Sequence, residues 1–217
     1  IIETKNSFKM FDRMVDTLGV ELTPELLIEF ETILHKGTTM AANGESGHFK
    51  YIPNRIRNSS VQVALPSDIP TAIPALLAKW EGSPKDFESI SRFHARFEHL
   101  HPFQDGNGRV GRLLMFKECL ANGFVPFIIT DELKMFYCRG LQQWPQIKEY
   151  LLDTCLTAQD NYKAQLDYFK IKYKPKKFFD RTEERSSLRE IHEMAKSNAQ
   201  CAAVTISSMK FTKERLM

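Results

Sequence analysis

The chain has no apolar run approaching the roughly 18 to 20 residues that cross a bilayer, no CxxC pair, no signal-peptide pattern and almost no charge imbalance. The missing apolar run offers no membrane-spanning segment, and no membrane is expected among the partners. Its four cysteines, Cys119, Cys138, Cys155 and Cys201, are widely spaced, and the first three sit among apolar neighbours. Buried free thiols in a reducing, cytoplasmic compartment are therefore expected, ahead of disulfides or a zinc site. A net charge of +3 from 30 basic and 27 acidic residues in 217 leaves little excess to hold nucleic acid or an anionic membrane. The chain opens IIETKNSF without Met, as a piece of a longer protein would.

What is present is helical punctuation. NSFKMFDRMVDTLG carries Phe8, Phe11, Met14 and Val15 at helical spacing, with Asn6 or Ser7 as cap and Gly19 as stop. LTPELLIEFETILHKG repeats the design, with Thr23 at the N-cap, Pro24 at the first helical position and Gly37 after the end. The helical period lapses between Gly44 and Pro74, where GHFKYIPNRI and SVQVALP read as short strands around the turn RNSS. TAIPALLAKW resumes it, and FESISRFHARFEHLHPF follows with Phe87, Ile90, Phe93, Phe97 and Leu100 on one face and His101 at its end. RVGRLLMFKECLANG, DELKMFYCRGLQQW with Asp131 as cap, and PQIKEYLLDTCLTAQDNYKAQLDYF complete the set. The expectation is a mainly α protein: a compact bundle of about six to eight helices with a small β-hairpin flap near the glycine-rich loop. KIKYKPKKFFDR reads as a solvated linker, and TEERSSLREIHEMAKS as an amphipathic helix.

The chemistry gathers in HPFQDGNGRVGR, residues 101 to 112. Gly106, Gly108 and Gly111 formally satisfy the G-x-G-x-x-G dinucleotide fingerprint, but that motif needs a strand before it. Here a helical pattern carrying Arg92, Arg96 and Glu98 precedes it, so the reading fails on context. His94, Glu98, His99 and His101 offer zinc or iron ligand spacing, yet His94 lies on the apolar stripe, where a satisfied core histidine is the commoner outcome. Phosphate chemistry on a nucleotide fits best. A helix end, a glycine-rich loop and a new helix near Arg109 aim backbone N–H groups and a positive helix terminus at one point. Gly106 and Gly108 permit positive φ, and Asn107 adds a donor between them. Arg109 and Arg112 lie on one face to neutralise phosphates, Asp105 offers a hard oxygen to Mg²⁺, and His101 suits a general base.

These residues resemble the signature of Fic-domain proteins, H-P-F-x-[D/E]-G-N-G-R-x-x-R, at every defined position. The resemblance runs from about residue 20 to 160, through LTPELLIEFETILHKGT, GHFKYIPNRI, FESISRFHARFEHLHPF and ELKMFYCRGL. It implies a catalytic domain over 1–165, with 166–217 as basic linker and helical extension. It also implies transfer of AMP from ATP to a Thr, Tyr or Ser hydroxyl of a target protein, or of the chain itself, with pyrophosphate leaving. By the same resemblance His101 is the base, Asp105 holds Mg²⁺, and Gly106, Asn107 and Gly108 form the anion hole. Arg109 and Arg112 grip the outer phosphates, and Phe103 anchors the loop. Tyr137 and Leu141 are candidates for the nucleobase pocket, and Val61 and Val63 for a flap that adds the target as a strand.

One branch of that family transfers phosphate and has lysine at the second motif glycine; Gly108 favours AMP here, with UMP and other nucleotides open. Many relatives carry an inhibitory helix with [S/T]-x-x-x-E-[G/N]. SSLREI gives Ser186 and Glu190 but Ile191 after them, and Glu3 has too little context to judge. An inhibitory segment or partner outside this stretch, a homodimer, and a nucleotide-binding module or AMP-removing relative without AMP transfer all stay open.

Overall fold

The computed structural model describes residues 2–56, 59 and 61–173. The described residues form eight α-helices and one 3₁₀ turn. They divide into two compact units, the first of Ile1–Arg13 with Val20–Leu114, the second of Met14–Gly19 with Met115 onward.

α1 (Ile2–Asp16), whose residues as far as Arg13 belong to the first unit, begins four residues before the expected cap. Asn6 and Ser7 lie buried inside it. Ser7 donates to the Glu3 carbonyl one turn back at 2.8 Å, and Asn6 donates to the carbonyls of Leu34 at 3.0 Å and Lys36 at 2.7 Å. Asn6 is thus a cap, but for the end of α2 (Pro24–His35), whose last carbonyls have no partner within their own helix. At the other end of α2 Thr23 accepts from Leu26 N–H at 3.2 Å, the cap the sequence predicts. A short α3 (Thr39–Ala42) follows, capped by Thr38.

The expected hairpin is not formed by the described residues. Positions 49–56, 59 and 61–65 contain no strand, and 57, 58 and 60, at the turn, lie outside the described residues. Backbone donors that a ladder would use go elsewhere: Lys50 N–H to the Pro102 carbonyl at 2.7 Å, Ala64 N–H to that of His99 at 3.3 Å. Pro53 has no N–H to offer a ladder at all.

A 3₁₀ turn at Pro66–Asp68 leads into α4 (Ile69–Glu81), and α5 (Phe87–Leu100) packs on it. Asp86 caps α5, accepting from Ser89 N–H at 2.7 Å. Ile69, Ile73, Leu77 and Trp80 of α4 meet Ile90, Phe93 and Phe97 of α5 as the apolar stripes dictate, with Trp80 and Phe93 rings 5.2 Å apart. Each such buried side chain contributes about 1.5 to 3 kcal/mol. This is the scaffold under the glycine-rich loop.

From Asn107 the chain forms α6 (Asn107–Ala121), whose residues from Met115 belong to the second unit with α7 (Lys134–Gln143) and α8 (Glu149–Tyr168). Gly140 lets α7 approach α8, since a Cβ there would stand 2.7 Å from Leu151 Cα. Gln159 on α8 pins the 124–130 link by donating to the Val125 carbonyl at 2.7 Å. Cys119 and Cys155 are buried free thiols as expected, and burial raises the Cys119 thiol. Cys138 departs from expectation: it faces outward on α7. Cys201, the predicted C-terminal helix and the Ser186/Glu190 pair lie outside the described residues. No described helix is long and apolar enough to cross a membrane.

Candidate active site

The site begins where α5 stops. His101 takes a left-handed conformation, φ 50° and ψ 57°, while its N–H still closes the helix on the Phe97 carbonyl at 3.0 Å. A glycine usually fills such a position, because a Cβ there costs about 1 kcal/mol. The reversal aims the chain into the loop, and Phe103 then drops into the core, fully buried between Phe49 at 5.4 Å and Phe97 at 6.4 Å.

Asn107 locks this loop from inside. Its amide donates to the Phe103 carbonyl and accepts from the Phe103 N–H, both at 2.7 Å. The side chain expected to offer an anion a donor is therefore committed to the loop, and Asn107 itself starts α6 two residues earlier than expected. What faces outward at a helix start by position are the first N–H groups, here those of Asn107 and Gly108, because Arg109 and Val110 N–H both bond to the Gly106 carbonyl. Gly106 has the positive φ predicted, +80°, and a Cβ there would collide with Leu34 and His35. Gly108 does not: it lies in the helix, and its lack of a side chain leaves room for the Arg112 guanidinium, with Nη1 at 3.0 Å from where a Cβ would be.

The His101 imidazole is held below its usual range, at about 4, by burial first and the Lys50 charge second, with the Glu98 carbonyl and Asp105 opposing. At neutral pH the ring is uncharged. Its Nδ1 is buried and meets no acceptor within hydrogen-bond geometry. Lys50, itself lowered to about 8 mainly by burial, remains charged at neutral pH.

Two further buried ionisable pairs flank the loop, each one helical turn apart. On α2, Glu31 and His35 stand 3.7 Å apart beneath Gly106; burial raises Glu31 to about 7 and lowers His35. On α5, His94 and Glu98 stand 4.0 Å apart beside Gly111; burial lowers His94 to about 3 and raises Glu98 to about 7. His94 Nδ1 lies 3.1 Å from the Gly111 carbonyl, so it is the core histidine its apolar stripe foretold. Among the described residues no three His, Cys, Asp or Glu side chains converge on a metal position, and the His94, Glu98, His99, His101 grouping does not assemble as one.

The two motif arginines differ. Arg109 is ion-paired with Glu3 and, at 3.1 Å, with Asp105. Arg112 has no hydrogen bond or ion pair among the described residues, and lies half-buried over Gly108. Asp105 is largely exposed, its side chain 64 % accessible. One exposed carboxylate beside the glycine-rich loop is a donor of the kind Mg²⁺ takes, since that ion needs few protein ligands and completes its shell with water and other oxygens.

The remaining expected residues lie away from this cluster in chain position. Tyr137 is buried and Leu141 half-buried on α7 in the second unit, and Val61 and Val63 are half-buried in the strandless segment. The exposed large apolar side chains of that segment are Tyr51, Ile52 and Leu65. Sequence reasoning passed over Lys50, Asn54, Glu31 and His35. The α2 pair carried a signal, two ionisable residues at i and i+4 on an apolar stripe; Lys50 and Asn54 act through contacts some fifty positions away, which no local pattern announces.

Residues 21–119 match the Fic/DOC family model. A 62-residue stretch, 26% of this chain and 19% of the relative, is 37% identical to the "Probable protein adenylyltransferase" of Aquifex aeolicus strain VF5. The matched stretch thus spans about a fifth of that relative's length. The fold is similar to that of a Fic-domain-containing signaling protein from Bacteroides thetaiotaomicron, at TM-score 0.54 and 21% identity over 90% of this chain and 71% of that one. It is similar also to Fic-1 from C. elegans, at TM-score 0.58 and 18% identity over 77% and 51%.

Proposed function

We propose that residues 21–119, which match the Fic/DOC family model, form a Fic-type catalytic domain, and that the chain transfers AMP from ATP to a hydroxyl of a target protein, releasing pyrophosphate. The observation that carries this reading is an uncharged, partly buried His101 beside a loop that ends in a helix N-terminus and an unpaired Arg112. Relatives that share the family are named protein adenylyltransferases, which supports the choice of AMP.

In this mechanism the outer phosphates of ATP lie at the first turn of α6, where the Asn107 and Gly108 N–H groups and the helix dipole meet them. Arg112 supplies a charge that no ion pair among the described residues already holds. Arg109 joins when phosphate competes for it with Glu3 and Asp105. Asp105 would hold Mg²⁺, which when bound neutralises phosphate charge and orients the leaving group. A small approach of the His101 Nδ1–H to the Glu98 carbonyl leaves Nε2 with the free lone pair. Nε2 then takes the proton of the target hydroxyl as its oxygen attacks the α-phosphorus; the bond from that phosphorus to the bridging oxygen breaks, and pyrophosphate leaves with the electron pair. Positioning and charge neutralisation carry most of such a transfer. The target is a protein, this chain included, and Tyr51 and Ile52 are the apolar side chains of the flap segment it would meet.

The test is incubation with Mg²⁺ and ATP labelled at the α-phosphate, with a cell lysate as source of targets. The wild-type chain labels itself or a target. His101→Ala loses about 10²- to 10⁴-fold in rate and keeps nucleotide binding. Equal labelling by that variant would falsify the assignment.

A further inference from the structure

Lys50 touches the backbone on both sides of His101. Its Nζ donates to the Leu100 carbonyl at 3.2 Å, and its own N–H donates to the Pro102 carbonyl at 2.7 Å. The same Nζ donates to Asn54 Oδ1 at 2.9 Å, and the Asn54 amide reaches on to the carbonyls of Phe103 at 2.8 Å and Gln104 at 3.4 Å. Two residues of one segment, Lys50 and Asn54, thus grip four carbonyls at the end of α5 and along the turn that follows it. Lys50 is 3 % exposed, so its ammonium is out of water and committed to these partners. A lysine at a helix C-terminus also meets the negative end of the helix dipole.

His101 needs such support, because a non-glycine residue in the left-handed region is held only where its surroundings over-determine it. We propose that Lys50, braced by Asn54, is a positioning residue for His101: it fixes the left-handed turn from which the imidazole is presented to substrate. The proposal rests on the reading of His101 as the base. A second consequence follows from charge. His101 is faced by Lys50 from the 50–54 segment, by Asp105 from the loop and by the Glu98 carbonyl from α5, and Lys50 is faced in turn by Asp68. The buried ammonium adds to burial, the larger cause, in favouring the uncharged imidazole, and does so without contacting substrate.

Lys50→Met removes the Nζ contacts to Leu100 and Asn54 together with the charge, and Asn54→Ala removes the bonds to Phe103 and Gln104 while leaving the charge. Two readouts are needed: label transfer from α-labelled ATP, split into kcat and KM, and titration of the His101 ring by NMR, which needs no activity. In Lys50→Met, kcat falls by about 10²-fold, the loss expected of a displaced catalytic group, and the ring titrates above the wild-type value of about 4. The KM for ATP is unchanged in both variants, and Asn54→Ala lowers kcat without moving the titration. If Lys50→Met does not fold, Lys50→Gln, which keeps a donor and loses the charge, must show the same upward titration. An imidazole that titrates alike in wild type and variant, or a kcat that survives in a folded Lys50→Met protein, overturns the proposal. Were the wild type to transfer no label, the proposed function would fall, and the NMR titration would still decide whether Lys50 governs His101.

Discussion

Arg109 and Arg112 stand one turn apart on α6 and live in opposite surroundings. Arg109 is bound by Glu3 and Asp105, and the buried Glu31–His35 pair lies under the glycine beside it. Arg112 makes no hydrogen bond or ion pair among the described residues and rests over Gly108, while its charge acts on the buried His94–Glu98 pair behind Gly111. The difference teaches what each side of the loop does. On the Arg109 side charges are balanced within the protein, so a phosphate arriving there must displace a carboxylate. On the Arg112 side no carboxylate closes on the guanidinium, and the buried Glu98 Oε1, 4.0 Å from His94 Nε2, has no hydrogen-bond donor.

Removing each arginine breaks the comparison most directly. A charge-assisted hydrogen bond contributes about 1.5 to 3 kcal/mol, so Arg112→Ala should weaken ATP binding by about 10- to 100-fold. Arg109→Ala should weaken it by less, because its gain on binding is offset by the ion pairs it gives up. Binding isotherms at one fixed salt concentration decide; equal losses would mean the two arginines are equivalent to the nucleotide.

The motif glycines sharpen the same contrast through packing. A methyl at Gly111 would overlap Glu98 Oε1 and stand 3.0 Å from the Phe97 ring, both held in the core. Gly111→Ala should therefore destabilise by about 1 to 3 kcal/mol, visible as a lower urea midpoint. A methyl at Gly108 meets the far end of Arg112, which can swing away. Gly108→Ala should leave the midpoint near wild type and weaken ATP binding instead. The reverse pattern would show that Arg112 is fixed and Gly111 is not.

How much of this could be read in the sequence depends on the range of the contacts. Thr23, Pro24 and the apolar stripes of α2, α4 and α5 act within one or two turns, so their pattern announced the helices. The 101–112 motif was legible because its chemistry is packed into twelve positions. Asn6 looked like a cap for its own helix and caps another 28 residues on, since side-chain chemistry does not say whose carbonyl it meets. The hairpin is not formed by the described residues for a similar reason: the helical period lapses there, but the donors of Lys50 and Ala64 find the end of α5 and the loop beyond it. Asn107 was assigned to the ligand because a free amide and a loop-locking amide have the same sequence.

The pair behind Arg112 gives a test through pH. Unfolded, Glu98 and His94 titrate near 4.5 and 6.5; folded, they sit at about 7 and about 3. Between pH 4.5 and 6.5 the folded pair holds one proton, on Glu98, and the unfolded pair also holds one, on His94. Their joint contribution to stability is therefore flat in that window. Glu98→Gln leaves a lone histidine that is neutral folded and protonated unfolded. Stability should then fall as pH drops from 6.5, at up to about 1.4 kcal/mol per pH unit. Urea midpoints of wild type and variant across that range should diverge toward acid; parallel lines would show that the two groups do not offset each other.

The smallest effect is on the Arg109 side. The Glu3–Arg109 pair is partly solvated, with side chains 40 % and 24 % exposed, so it contributes about 0.2 to 1 kcal/mol. If Glu3 competes with phosphate for Arg109, Glu3→Gln should tighten ATP binding by about 1.4- to 5-fold at low salt, and the gain should shrink as salt screens both interactions. The same substitution in an Arg109→Ala background should change nothing, because the competition has lost its object. A gain that persists there would mean that Glu3 acts on the nucleotide through the general field of the site, and that Arg109 is no more restrained than Arg112.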